Sequence, residues 1–219
     1  MNSRRDPEPF LQACASGDLE TMRQCIAKGA DVNMPEAKDY KPLAVALDNN
    51  QLGALKLLLE NKADPNAEYI SEPLLHHAFF KANREAVDLL LKAGANSAAL
   101  EDGIYSIVDF ATRGKDEVLV QKALRLLFSA GFDMQKVYDE ALNAAVFTGD
   151  VYLAEFLIRR GAQPDSAGPN FCFGYPPLVK AALNNDGKMA VLLARYGAVA
   201  GIHLPEVQKI LTQESHDDE

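Results

Sequence analysis

The sequence predicts an all-α solenoid of about six helix-turn-helix repeats joined by short β-turn connections. Three observations predict it. A small-residue step, Gly29-Ala30, Lys62-Ala63, Gly94-Ala95, Gly131-Phe132, Gly161-Ala162 and Gly197-Ala198, recurs along the chain at intervals of 33, 32, 37, 30 and 36 residues. Upstream of each step lies a matching short apolar segment: Pro9-Phe10-Leu11-Gln12-Ala13, Pro42-Leu43-Ala44-Val45-Ala46, Leu74-Leu75-His76-His77-Ala78, Ile107-Val108-Asp109-Phe110-Ala111, Ala141-Leu142-Asn143-Ala144-Ala145 and Pro177-Leu178-Val179-Lys180-Ala181. Between segment and step runs a second apolar stretch with helical periodicity. One such helix pair cannot bury its own apolar stripe, whereas stacked pairs share a continuous one.

Residues 71–96 hold the most regular copy. A turn signal precedes Leu74, a break falls at Lys81-Ala82-Asn83, Ala86-Val87-Leu89-Leu90-Leu91 forms the second helix, and Gly94 ends it where a left-handed backbone costs least. The repeats are read as 8–34, 38–67, 70–97, 103–134, 137–165 and 173–200. The first exposes Asp18, Glu20, Arg23, Gln24 and Lys28, as a terminal repeat must to stay in solution. Leu55-Leu57-Leu58-Leu59, Leu124-Leu126-Leu127-Phe128 and Phe156-Leu157-Ile158 are expected as core stripes of second helices. In the fourth repeat, extra residues around Gly114-Lys115-Asp116-Glu117 lengthen the inter-helix turn or the second helix. The longest connection, 165–175, places Phe171, Phe173 and Tyr175 among glycines. Leu204–Leu211 reads as a capping helix with Pro at its first turn, closing a single domain over 1–211; the polar 212–219 follows as a tail.

On these residues the chain resembles the ankyrin-repeat family, whose unit of about 33 residues carries T-P-L-H-x-A. Gly17-Asp18 and Gly149-Asp150 match the family's inter-helix step. Gly29-Ala30-Asp31-Val32-Asn33 and Lys62-Ala63-Asp64-Pro65-Asn66 match its Gly-Ala-Asp-x-Asn turn. The family Thr is replaced by Lys41, Glu140 and Pro176, and the family His is kept only as His76. The resemblance implies a binding function on a concave face lined by turn tips and by the exposed ends of first helices.

Composition narrows the function classes. A formal net charge of -9 argues against nucleic acid, which is bound by clustered Lys and Arg, and suits a basic or neutral partner. Cys14, Cys25 and Cys172 show no C-x-x-C spacing and are expected as reduced core thiols, so neither a disulfide framework nor a zinc site is supported. The N-terminal residues MNSRRDPEPF lack the apolar core of a secretory signal, and no apolar run is long enough to span a bilayer. A cytoplasmic monomer that engages no membrane is expected. The common phosphate-loop, dinucleotide, zinc-protease and hydrolase signatures are absent, so neither cofactor nor catalysis is expected. His76-His77 is no metal pair, because adjacent helical residues point about 100° apart; His76 is expected as a neutral imidazole bracing a turn.

Carried over position by position, the resemblance nominates turn-tip residues Tyr40, Tyr105, Tyr138 and Tyr175 and helix-end residues Asp48, Phe80, Arg113 and Phe147, with Phe171 and Phe173 in the long loop. Aromatics at positions the fold does not require to be large point to contact residues. The function expected is a non-catalytic protein-protein interaction module. Its role is that of an adaptor or scaffold, or of a dedicated inhibitor such as an immunity or antitoxin-like protein of a bacterial enzyme, or of a translocated bacterial effector. An enzyme built in the C-terminal loop is the reading from another class, and it would need converging titratable groups in a pocket.

Overall fold

The computed structural model describes residues 8–34, 41–69, 72–96, 107–166 and 175–199, together with 205 and 207–209. The chain divides into two compact units, Met1–Ala99 and Leu100–Glu219. In unit 1, α1 (Glu8–Ser16) pairs with α2 (Leu19–Ala27), α3 (Pro42–Asp48) with α4 (Leu52–Glu60), and α5 (Leu74–Phe80) with α6 (Arg84–Lys92). Helix α1 also packs on α3, while α2 packs on α4 and α4 on α6. Between α4 and α5 a two-stranded antiparallel ladder, β1 (Glu68–Tyr69) and β2 (Glu72–Pro73), pairs Glu68 with Pro73 and Tyr69 with Glu72. Phe10, Met22, Leu43, Leu47, Leu55, Leu58, Leu75, Phe79 and Leu90 form its core.

Unit 2 holds α7 (Ile107–Arg113), α8 (Glu117–Ser129), α9 (Met134–Thr148), α10 (Val151–Ile158), α11 (Pro177–Leu183) and α12 (Gly187–Arg195). Helix α9 packs on α7, α8, α10 and α11, and α10 packs on α12. Its buried residues include Ile107, Leu119, Leu127, Leu142 and Leu193. Pro205 and residues 207–209 are helical with Val207 buried, within the expected capping helix.

Two local rules generate the repeat. All positive-φ residues among those described fall in two columns: Gly17, Asn50, Ala82, Lys115, Gly149 and Asn185 between the helices of a pair, and Gly29, Lys62, Gly94, Gly131, Gly161 and Gly197 after the second helix. Each is a helix end where the chain must reverse. The second helices other than α4 then start from side-chain caps: Asp18, Asn83, Asp116, Asp150 and Asp186 each accept a backbone N–H of the first turn, satisfying donors the helix leaves unpaired.

The turn motif is a clasp. Asp31 Oδ1 accepts from Asn33 N at 2.8 Å, which sets the turn, and Asn33 then reaches the next repeat. Its Oδ1 accepts from Asp64 N at 2.7 Å and its Nδ2 donates to the Lys62 carbonyl at 3.0 Å. Asn66 repeats the pattern, its Oδ1 accepting from Asn96 N at 2.7 Å. In unit 2 Asp165 Oδ1 plays the same part for Val199 N at 2.6 Å.

The structure decides one open alternative of the sequence reading and corrects two expectations. The extra residues of the fourth repeat enter the second helix: α8 has 13 residues where α2, α4 and α6 have 9, while the turn keeps its left-handed residue at Lys115. The expected turn at Tyr138-Asp139 is helix, because Asp133 caps α9 at its start, with its side chain accepting from Gln135 N at 3.0 Å. No Gly or Pro follows before the apolar segment to stop it. Phe128 is not core but 72% exposed. The buried stripe of α8 is filled by Leu119, Val120, Ala123, Leu124 and Leu127, and Phe128 lies about 100° round the helix from Leu127.

Candidate functional site

The first helices α3, α5, α7 and α11 have 7 residues each, whereas α9 has 15. In α3, α5, α7, α9 and α11 the apolar segment packs inward, and the closing position, two residues before the left-handed residue of the turn, carries Asp48, Phe80, Arg113, Phe147 and Leu183. That position falls on the solvent side of the buried stripe. Phe80 is 47% and Phe147 59% exposed.

In unit 1 the closing residues join a cluster. Lys81 Nζ lies 2.7 Å from Asp48 Oδ1 and donates to the Asp48 carbonyl at 2.6 Å, tying the end of α5 to the end of α3. The Lys81 hydrogen bond holds the Asp48 carboxyl below its usual range, with the contact to His77 adding to it against burial. His77 Nε2 lies 3.5 Å from Asp48 Oδ1. Burial lowers the His77 pKa, although Asp48 opposes this. The His77 ring stacks at 4.2 Å on Tyr69 from the ladder and lies 6.4 Å from Phe80. Tyr69, His77 and Phe80 thus form a row of rings beside an Asp-Lys pair.

His76, the residue before His77, faces the core. It is 2% exposed, and burial brings its pKa down to about 4, so the ring is neutral at physiological pH. Its Nδ1 lies 3.9 Å from Glu72 Oε2 at the foot of the ladder. The family's His position is occupied in unit 2 by Asp109, Asn143 and Val179, and all of these are buried, as His76 is. Asn143 Nδ2 donates to the Ser166 carbonyl at 2.9 Å, so it braces the following turn, and Lys180 Nζ donates to its Oδ1 at 3.1 Å.

In unit 2, Asp109 Oδ2 lies 2.9 Å from Arg113 Nε. Burial pushes the Asp109 carboxyl up, with Arg113 opposing. The Arg113 guanidinium sits 5.7 Å from the centroid of the Phe147 ring, a cation-π distance that fixes both side chains at the exposed helix ends. Tyr175 is half-buried beside Pro176 at the start of α11. Tyr138 lies in α9 and faces a groove with Phe128 and Arg160, away from any turn tip.

Asp48 and Phe80 are therefore brought together through His77 and Lys81, and Arg113 meets Phe147. Tyr40, Tyr105, Phe171 and Phe173 lie outside the described residues, as does Cys172. Sequence reasoning missed Tyr69 and set His77 aside; its cue was the column, since His77 stands one turn before the exposed closing position. Cys14 and Cys25 are free thiols, and burial pushes Cys14 up to about 12, which leaves it protonated and unreactive. Among the described residues no group of three or more His, Cys, Asp or Glu could hold a metal ion. No helix among them is long and apolar enough to cross a membrane.

Comparison with known proteins places this geometry. Residues 10–102 match the family model for ankyrin repeats in three copies. The chain is 28% identical over 156 residues to the ankyrin repeat and KH domain-containing protein mask-1 of Caenorhabditis elegans, covering 71% of the chain and 6% of that protein. It is 28% identical over 181 residues to the B-cell lymphoma 3 protein homolog of Mus musculus, covering 77% of the chain and 40% of that protein. The chain thus spans less than half the length of these relatives. The human ASB11 ankyrin repeat domain superposes with a TM-score of 0.68 at 24% identity, over 87% of this chain and 84% of that one.

Proposed function

We propose that this chain, whose residues 10–102 are ankyrin repeats and whose fold is the ankyrin-repeat fold, is a non-catalytic module that binds a protein partner through the exposed ends of its first helices. The observation that carries the reading is the recurrence of a large exposed ring, Phe80 and Phe147, at one position of the repeat. The solenoid needs no bulk there, since Asp48 and Arg113 occupy the same position. Rings held in place by a neighbour, as Phe147 is by Arg113, offer large contact area at small entropy cost. In unit 1 the contact residues are Tyr40, Asp48 and Phe80; in unit 2 they are Tyr105, Arg113, Phe147, Phe171, Phe173 and Tyr175. The net charge of -9 favours a basic or neutral partner.

The test starts with affinity purification on the tagged chain and mass spectrometry. The recovered partner is then titrated against the wild type, Phe80→Ala, Phe147→Ala and, as a second-helix control, Lys56→Ala. Loss of about tenfold or more in affinity for the Phe variants alone is expected. Wild-type affinity in both Phe variants overturns the reading. Inhibition of a recovered enzyme assigns the inhibitor role, and retained partner activity the adaptor role.

A further inference from the structure

We infer that unit 2 carries a second docking surface, on the face formed by α8, the start of α9 and the end of α10, and that it takes an acidic segment of a protein partner bearing an apolar anchor residue. An open groove of about 440 Å³ lies there, among Gln121, Arg125, Phe128, Met134, Tyr138 and Arg160. Its volume falls at the lower end of the range of ligand-binding clefts.

Two features select the occupant. The apolar part of the groove is presented outward rather than buried. Phe128 stands 72% exposed at its edge, with Met134 and Tyr138 from the first turns of α9 below it. The apolar character continues along α10, where Phe156 packs at 4.5 Å against the Arg160 guanidinium and Tyr152, one turn earlier, is 89% exposed. The charge is the reverse of the chain's own. Arg125 and Arg160 are both exposed, neither makes an ion pair among the described residues, and no carboxylate lines the groove. Glu117, one turn before Gln121 on α8, accepts from the Gln121 side-chain amide at 3.1 Å. In a protein of net charge -9, a groove whose two guanidiniums have no carboxylate partner among the described residues repels the basic partner proposed for the first helices and attracts carboxylates. Planar guanidiniums grip carboxylates in a fork, and the exposed ring supplies an anchor contact between them.

The inference stands apart from the proposed function, because it uses other residues on another face. It is tested with the full chain and a fluorescein-labelled synthetic peptide, acetyl-Glu-Asp-Phe-Glu-Asp-Leu, alongside its counterpart with Lys in place of each acid. Fluorescence anisotropy is expected to show saturable binding of the acidic peptide only, weakening as salt rises. Phe128→Ser and Arg125→Gln should each reduce it severalfold, and Arg125→Glu with Arg160→Glu should abolish it. Phe147→Ala should leave it unchanged, and thermal midpoints should match the wild type, since every altered side chain is exposed. Absence of binding to the wild-type chain overturns the inference. So does equal binding by the variants, loss of binding in Phe147→Ala, or capture of the chain by phosphatidylserine vesicles without peptide binding.

Discussion

His76 shows how one side chain couples the repeat to pH. Its folded pKa of about 4 lies below the ordinary value of 6.5, because burial disfavours the imidazolium. The unfolded chain therefore binds the proton first as pH falls. Stability from this ring is fully present above about 6.5 and is lost as pH drops toward 4, a span worth roughly 3 kcal/mol at 1.36 kcal/mol per pH unit. His77, also lowered by burial, acts in the same direction, so the comparison must be made within one background. Denaturant unfolding at several pH values should show a shallower acid-side slope in His76→Gln than in the wild type; equal slopes would assign the titration elsewhere. A second residue-scale expectation concerns Lys62, held at φ 68 where the other five repeats place glycine. A side chain there costs about 1 to 2 kcal/mol, part of which the unfolded-state entropy of glycine returns. Lys62→Gly should therefore raise stability by roughly 0.5 to 1 kcal/mol. At this scale the sequence was legible where spacing dictates direction: the divergent facing of His76 and His77 follows from helical geometry alone. The ring row of Tyr69, His77 and Phe80 was not, because it depends on where the ladder sets Tyr69 against α5.

Elements were legible where punctuation marks them. Glycine after each second helix and Asp or Asn before it bracket α2, α6, α10 and α12. Helix α9 was misread for want of such marks, since nothing between Asp133 and Ala141 interrupts it; α8 carries them at Asp116 and Gly131, and there only the facing of Phe128 was misread. The links between elements are short clasps. Asn33 makes two hydrogen bonds to the next turn at 2.7 and 3.0 Å, and both lie at the surface, where each contributes about 0.5 to 1 kcal/mol. Asn33→Ala should cost roughly 1 to 2 kcal/mol and speed amide exchange of Asp64 before the global transition; unchanged Asp64 protection would show the clasp to be idle. Deeper in the unit, Leu90 is fully buried in α6. Leu90→Ala leaves a cavity and should cost about 2 to 5 kcal/mol in denaturant unfolding; a loss below about 1 kcal/mol would mean the site collapses freely.

At the scale of the whole molecule, the recurring step reads without interruption from Gly29 to Gly197, and the proposal of a single domain over 1–211 rests on that period. The division into two compact units at Ala99 and Leu100 had no mark in the sequence, since no Pro, Gly or Ser-rich linker stands there. Function at this scale depends on separating residues that hold the fold from residues that meet a partner, and the repeat supplies the internal standard. Phe79 and Phe80 are adjacent on α5, one fully buried and one half exposed. Phe79→Ala should lower stability by about 3 to 5 kcal/mol and reduce partner binding only in proportion to the unfolded fraction. Phe80→Ala should leave the unfolding midpoint nearly unchanged and weaken binding by roughly 2 kcal/mol, the scale of an interface anchor. With a basic partner, the association rate should also fall as salt rises, because exposed charges are screened beyond about 8 to 10 Å. Proportional loss of stability and affinity in both variants would make Phe80 a structural residue, and the first-helix ends would lose their claim to be the binding face.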